Sequence, residues 1–246
     1  MGQWPHGVGV LKLDEIDSTN TEARRRFEAG ERGPLWITAA RQSGGKARQG
    51  RTWSSETGNL YATLLFQPKM PASTASLFSF VACLAVAELF EAYGAKAQVK
   101  WPNDALIDGK KCAGVLLEGS GQGGELDWLA IGCGVNLTFH PEPDPSAIHP
   151  PTSLLAETGK TVSTEYALIH LAASVARWGD VLETQGFAPV REAWINRAVK
   201  LGQRIEARMA KETVPGVFED VDLTGALIIR TPTGARKLHA ADIYFA

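Results

Sequence analysis

Gln98-Val99-Lys100-Trp101-Pro102-Asn103-Asp104-Ala105-Leu106-Ile107-Asp108-Gly109-Lys110-Lys111-Cys112-Ala113-Gly114-Val115-Leu116-Leu117-Glu118 is the stretch that decides the fold. Gln98 to Trp101 reads as a strand that stops at Pro102-Asn103-Asp104, a turn-forming triplet. Pro102 biases Trp101 toward extended backbone. Ala105 to Ile107 then meets Lys111 to Glu118 across Asp108-Gly109, a favoured two-residue hairpin turn. Consecutive strands joined this tightly run antiparallel. A chain built this way is not a strictly alternating, doubly wound α/β protein.

Outward from this segment the pattern is mixed. Val8 to Ile16, Leu35 to Ala40, Leu60 to Phe66 and Leu126 to Leu137 are expected strands. Thr21 to Glu28, Ser73 to Tyr93, Thr164 to Glu183 and Ala188 to Asn196 are expected helices. The second is apolar on nearly all sides and so belongs in a core. Thr19 with Glu22 fits a capping box for the first helix, and Ser163 a cap for the third. His140 to Pro151 is a Pro-rich loop. From Val199 onward the runs are short and β-like: Val199 to Leu201, Arg204 to Ala207, Val214 to Asp220 and Ala226 to Arg230. Closely spaced short strands suggest a small barrel. The expected class is α+β, with a mixed β-sheet flanked by helices in residues 1–198 and a small β-barrel in residues 199–246.

The chain has 246 residues, 44% of them hydrophobic and 21% charged, which excludes wholesale disorder. A formal net charge of −2 excludes binding driven by bulk attraction to nucleic acid or anionic membrane. The longest apolar run, Ser76 to Ala92, is interrupted by Ser79 and Glu88 and falls short of a membrane span. Cys83, Cys112 and Cys133 are odd in number, widely spaced and set among apolar residues. They read as buried free thiols, which with the absence of a leader-like N-terminus points to the cytoplasm.

Five segments could carry chemistry. Gly44-Gly45-Lys46-Ala47-Arg48-Gln49-Gly50-Arg51-Thr52-Trp53 joins glycines, which admit close backbone approach, to cations that donate charge-assisted hydrogen bonds. It is neither a P-loop nor a dinucleotide fingerprint, and alone it is equally a solvated basic loop. Lys100 to Asp104 displays a Lys, an Asn and an Asp at a strand end, or simply forms a tight turn around a packed Trp. In the Lys111 to Glu118 strand, Lys111 and Ala113 are expected on one face, and Gly114 leaves room for a ligand or another backbone. Lys111 is an edge residue or a partly buried cation with an anionic partner. Gly132-Cys133-Gly134-Val135-Asn136 is open beside its backbone, or a bulged strand. Asp17-Ser18-Thr19-Asn20 caps a helix and can also present hydroxyls to a polar ligand. No His/Cys/Asp/Glu spacing marks a metal site.

Taken together and in order, these segments resemble the biotin protein ligase family. That family shows an aspartate-Ser-Thr-Asn start, a G-R-G-R-x-G-R-x-W loop, K-W-P-N-D, a K-x-x-G-[IV]-L-x-E strand and a G-x-G-[IV]-N strand. Asp17–Asn20, Gly45–Trp53, Lys100–Asp104, Lys111–Glu118 and Gly132–Leu137 match them, and Gly216, Asp222, Gly225 and Leu227 resemble its C-terminal barrel. Lys46-Ala47 departs from the usual Arg-Gly, keeping the charge but losing the planar fork. The resemblance implies a class II aminoacyl-tRNA-synthetase-like mixed sheet with a C-terminal SH3-like barrel. It implies ATP-dependent formation of biotinyl-5′-AMP, then transfer of biotin to a lysine of a biotin carboxyl carrier protein belonging to acetyl-CoA carboxylase or a related carboxylase. Lys111 and Arg48 are the implied catalytic residues. Ser18, Thr19, Asn20, Gln42, Lys46, Ala47, Arg48, Lys111 and Gly114 are the implied biotin shell. Arg48, Arg51, Trp53, Asn103, Asp104, Lys111 and Asn136 are the implied ATP contacts, with Mg²⁺ carried on the phosphates and Asp104 as a ligand. The loop is expected to be mobile when empty and to fold over the adenylate, and Arg48→Gly to leak it.

The rival enzyme is a lipoate or octanoate ligase or transferase of the same ancestral fold. A biotin-sensing transcription factor needs a helix-turn-helix domain, for which the 16 residues before Asp17 leave no room. A catalytically inactive carrier-binding module is disfavoured by the intact lysine and arginines. The expected form is therefore monofunctional, with neither nucleic acid nor membrane as partner, and the resemblance leaves a homodimer open.

Overall fold

The structure is a computed structural model and describes residues 2–143, 149–209, 211–239 and 242–245, the last four by backbone only. Part of the expected Pro-rich loop, 144–148, lies outside the described residues.

The larger sheet has seven strands: β1 (Gly9–Ile16), β2 (Leu35–Gln42), β3 (Leu60–Phe66), β4 (Ala97–Lys100), β5 (Asp104–Ile107), β6 (Lys110–Ser120) and β7 (Trp128–Val135). Their order is β1-β2-β3-β7-β6-β5-β4. β1 and β2 pair in parallel and every other neighbouring pair is antiparallel. The sheet is therefore mixed, as expected.

Alternation along the strands sends one set of side chains to each face. Leu60, Ala62, Ile131, Cys133, Val135, Ala113 and Val115 point to a core built with α3 (Phe78–Ala92), α5 (Thr164–Gln185) and α6 (Phe187–Ile195). The opposite face is divided. Ile37, Leu65, Trp128 and Ala130 pack under Ala23 and Phe27 of α1 (Thr19–Glu28). The remainder of that face is open and holds the site.

Several expectations change. The single helix from Ser73 is two, α2 (Ala72–Ala75) and α3, joined by a tight turn in which Leu77 N–H reaches Thr74 O at 3.0 Å and Ser79 N–H reaches Ser76 O at 3.1 Å. By length and hydropathy the whole of Ala72–Ala92 would span a membrane, but 78% of that window is buried within the protein. It is a core helix. A short α4 (Leu154–Thr158) was not foreseen; Ser153 caps it by accepting from Ala156 N–H.

The capping box at α1 does not form. Ser18 is the N-cap without a side-chain cap, and Glu22 instead pairs with Arg26 at 2.7 Å. Two stronger charge-assisted partners outcompete one backbone N–H.

The C-terminal part is a five-stranded antiparallel sheet of β8 (Arg204–Arg208), β9 (Thr213–Val221), β10 (Leu227–Thr231), β11 (Gly234–Leu238) and β12 (Asp242–Phe245). Its order is β11-β10-β9-β8-β12, and no pairing between the two edges closes it into a barrel among the described residues. Val199 to Leu201, expected as a strand, is a turn in which Lys200 adopts φ +66°. The core is continuous between the two parts: Phe80 stacks edge-on against Phe187 and Trp194, and Phe218, Val221 and Leu227 join the same cluster. Trp101 Nε1 donates to Gly225 O at 3.0 Å, which ties the Trp101–Asp104 turn to the C-terminal sheet.

Candidate active site

Register aligns a row of residues across the open face: Ala39, Tyr61, Gly134, Gly114, Asp104 and Lys100. The next row holds Ile37, Thr63, Gly132 and Leu116. The glycines at the centre turn the sheet surface into a groove. A Cβ on Gly132 would lie 2.1 Å from Asn20 Oδ1, and one on Gly134 would lie 2.6 Å from the Trp53 indole. Only glycine permits these approaches.

The α1 end of the groove is a buried polar network. Ser18, Thr19 and Asn20 are each no more than 5% exposed. Gln42 Oε1 accepts from Thr19 N–H at 2.8 Å and lies 3.1 Å from Thr19 Oγ1, while its Nε2 donates to Ser55 Oγ at 3.0 Å. Thr63 Oγ1 lies 2.8 Å from Thr19 Oγ1 and 2.7 Å from Asn20 Oδ1.

The glycine-basic segment forms a hairpin over the groove. Lys46 pairs with Thr52, Trp53 N–H reaches Gly45 O, and Ala47 N–H reaches Arg51 O. Gln49 and Gly50 turn the chain with φ of 57° and 72°. Ala47, with φ −127°, needs no left-handed backbone, so the Ala in place of the family's Gly carries no strain. Arg48 donates to Asn103 Oδ1 at 3.3 Å, and Arg51 Nε to Arg48 O at the same distance. The Trp53 ring lies across Gly114 and Gly134, and its Nε1 is buried without a hydrogen-bond partner among the described residues.

At the other end, Lys111 Nζ sits 2.7 Å from Asp104 Oδ1 and 5.5 Å from the centre of the Trp53 ring. A bulge brings Lys111 there. Ala105 faces Ala113 but Leu106 faces Lys111, which makes Cys112 the extra residue. The bulge puts Lys111 on the face of Gly114, while Ala113 points into the core. The expectation that Lys111 and Ala113 share a face is thereby corrected: an inserted residue shifts the period-two pattern by one.

Burial alone would push the Asp104 carboxyl up. The charges of Lys111 and Lys100 outweigh it and hold Asp104 below the ordinary aspartate value. Asn103 Nδ2 donates to Val115 O at 2.6 Å, which fixes the turn to β6. Asn136 is fully engaged in structure, donating to Thr152 O at 2.9 Å and accepting from Asn59 Nδ2 at 3.4 Å.

These residues line one cavity of about 650 Å³. Every residue expected at the site borders it: Ser18, Thr19, Asn20, Gln42, Lys46, Ala47, Arg48, Arg51, Trp53, Asn103, Asp104, Lys111, Gly114 and Asn136. Sequence reading missed Tyr61 and His149, which also line it. Tyr61 donates to Glu56 O at 2.7 Å, and burial pushes its hydroxyl up to about 12. His149 Nδ1 lies 2.6 Å from Gly109 O, and burial with the Lys100 charge lowers its pKa. Both come from strands or loops whose place beside the motifs is set only by tertiary folding. Among the described residues no three His, Cys, Asp or Glu side chains gather to hold a metal. The three cysteines are free and buried, and burial raises Cys133 to about 12.

This fold and this cavity define a class, and the class has a name. Residues 13–136 match the biotin/lipoate A/B protein ligase family, and the chain belongs to that family. Residues 200–246 match the biotin protein ligase C-terminal domain. The chain is 43% identical to the biotin–[acetyl-CoA-carboxylase] ligase of Paracoccus denitrificans, over 95% of this chain and 99% of that protein. It is 30% identical to the bifunctional ligase/repressor BirA of Bacillus subtilis, over 96% of this chain and 74% of that protein. The biotin protein ligase of Aquifex aeolicus, solved with biotin and ATP, superposes with a TM-score of 0.85 at 24% identity, covering 97% of this chain and 99% of that one.

Proposed function

We propose that this chain is an ATP-dependent biotin ligase that joins biotin to AMP and then to a lysine of a biotin carboxyl carrier protein. One observation carries the reading: every residue expected at the site borders a single cavity, with a polar donor and acceptor network at one end and cations at the other. The C-terminal match and the relatives' names favour biotin over lipoate. We further assign residues 1–198 to the catalytic domain and 199–246 to the C-terminal domain.

Ser18, Thr19, Asn20 and Gln42 would receive the ureido head of biotin, whose N–H and C=O groups need buried partners. The ring would lie beside the Trp53 indole, which covers Gly114 and Gly134, with Lys46 and Ala47 of the hairpin along it. Its valeryl carboxylate would then approach Lys111. That carboxylate must meet the α-phosphate of ATP, so two anions have to be brought together. Lys111, already paired with Asp104, and Arg48, beside Asn103, supply the positive charge that makes the approach favourable. The carboxylate oxygen attacks phosphorus, the bond to the β-phosphate oxygen breaks, and pyrophosphate leaves. In the second step the carrier's neutral lysine amine attacks the mixed anhydride carbonyl, and AMP departs as the amide forms. Arg51, Trp53, Asn103 and Asn136 line the side on which ATP would sit.

Mg²⁺ is a hard cation that keeps most of its ligands on ATP phosphates and water. One carboxylate, Asp104, fits that supporting role, and its charge would be shared between the ion and Lys111. With Mg²⁺ bound to ATP, the phosphate charge facing the biotin carboxylate is reduced.

The acceptor fits a cytoplasmic carboxylase carrier domain. Whether two copies associate does not enter the mechanism, since the cavity is formed by one chain.

Biotin-dependent exchange of labelled pyrophosphate into ATP tests the first step. Exchange with biotin and none with lipoate supports the reading; exchange with lipoate alone would overturn it.

A further inference from the structure

Glu118 stands on the same face of β6 as Gly114 and Leu116, and the mechanism above gives it no part. Its carboxylate nevertheless touches two pieces of the site. Oε2 accepts from Asn20 Nδ2 at 2.8 Å, and Oε1 lies 3.6 Å from Lys46 Nζ of the hairpin.

A primary amide has two ends of nearly the same size and opposite hydrogen-bonding character. Its partners decide which end faces which neighbour. A carboxylate can only accept, so the Asn20 NH2 faces Glu118 at 2.8 Å, and the Leu116 carbonyl, at the longer distance of 3.4 Å, takes the same NH2. Asn20 Oδ1 then faces Thr63 Oγ1, 2.7 Å away, against the bare Cα of Gly132. That commits the single hydroxyl hydrogen of Thr63 to Asn20.

The consequence reaches the ligand. Three oxygen-to-oxygen contacts run through this network: Thr63 to Asn20, Thr63 to Thr19, and Thr19 to Gln42. Only two hydroxyl hydrogens serve them. With the Asn20 oxygen turned inward, the network is short of one donor and has acceptor capacity left for an N–H group.

We propose that Glu118 is a positioning residue of the biotin site: by fixing the orientation of the Asn20 amide it makes the buried network acceptor-rich and so matched to the N–H groups of the ureido ring. This rests on the reading of the cavity as a biotin site. Glutamine at 118 would offer Asn20 either an oxygen or an NH2. Only the longer contact to Leu116 O at 3.4 Å would then hold the amide, Asn20 could turn over, and the pocket would present donors to donors.

The test uses the full chain as parent, Glu118→Gln, Asn20→Ala and the double variant. Pyrophosphate exchange gives KM for biotin and for ATP separately, and thermal melting reports the fold. Glu118→Gln should raise KM for biotin by about tenfold, the effect of one mispaired buried hydrogen bond, and leave KM for ATP and the melting midpoint unchanged. In the Asn20→Ala background Glu118→Gln should have no further effect on biotin. An unchanged biotin KM in Glu118→Gln overturns the proposal. So does an equal rise in both KM values with a lowered midpoint, or a biotin effect that persists in full without Asn20. A parent with no biotin-dependent exchange would instead bring down the reading of the cavity itself, a failure visible before any variant is made.

Discussion

Replacing Gly132 with alanine would close the narrowest point of the groove, where the sheet meets Asn20. The new Cβ would lie 2.1 Å from Asn20 Oδ1 and 2.9 Å from Asn20 Cγ, closer than real Cβ atoms come to any neighbour. Roughly 1 Å of displacement must be found in a close-packed interior. The backbone of β7 cannot supply it, because Gly132 is paired to Thr63 on one side and Leu116 on the other. Asn20 has to move. It is 5% exposed and holds hydrogen bonds to Glu118 at 2.8 Å and Thr63 at 2.7 Å, so moving it breaks at least one of them. A buried polar group left unpaired costs about 1–3 kcal/mol, or between about fivefold and a hundredfold in binding. KM for biotin in pyrophosphate exchange should rise by that factor. KM for ATP should stay within about twofold, since Asn103 and Asp104 sit two strands away. Biotin KM within twofold of the parent, in a protein that melts normally, would refute the claim that Asn20 and its neighbours form the biotin head pocket.

Three further expectations follow from other parts of the molecule. Lys111→Ala should lower the rate of biotinyl-AMP formation by about 10²–10³ while the fold persists, as measured by single-turnover adenylate yield; a tenfold change or less would count against its role in charge screening. Trp101→Phe removes the pyrrole ring with its N–H and so the hydrogen bond to Gly225 O at 3.0 Å; calorimetry should show a loss of about 1–3 kcal/mol from the lost bond and the cavity together, and an unchanged melting midpoint would mean that this contact does not hold the C-terminal sheet. Burial tends to raise the Glu88 carboxyl, but Arg177, Ser174 and Trp178 outweigh it and hold its pKa below the ordinary 4.5. Its stabilisation is therefore complete above that value and is lost as pH falls through the folded pKa. Glu88→Gln should flatten acid unfolding in that window, and an identical acid profile would contradict it.

The hairpin around Asp108-Gly109 was legible because period-two patterning and a turn dipeptide are local signals. Leu60–Phe66 was legible in full for the same reason. The site was legible through the order of five segments, although each alone had a plain structural reading, and several of those readings hold as well. Asn136 lines the cavity and also ties β7 to the Thr152 backbone. What escaped depends on contacts between distant residues. The bulge at Cys112 appears only when β5 and β6 are laid side by side. The failed capping box reflects Arg25 and Arg26, which draw Glu22 away from the backbone. Tyr61 and Thr63 carry no motif of function in themselves, and Glu118 closes a motif without showing what it touches; the sheet brings all three to the groove. α4 and the last two strands are too short, at five residues or fewer, for periodicity to show.

Mass measurement of an acceptor reads the ligation itself. The full chain is incubated with biotin, ATP, Mg²⁺ and a biotin carboxyl carrier domain. The carrier should gain the mass of one biotinyl group, at a single lysine, only when all components are present. An unmodified carrier, or one modified equally well with lipoate in place of biotin, would contradict the proposed function.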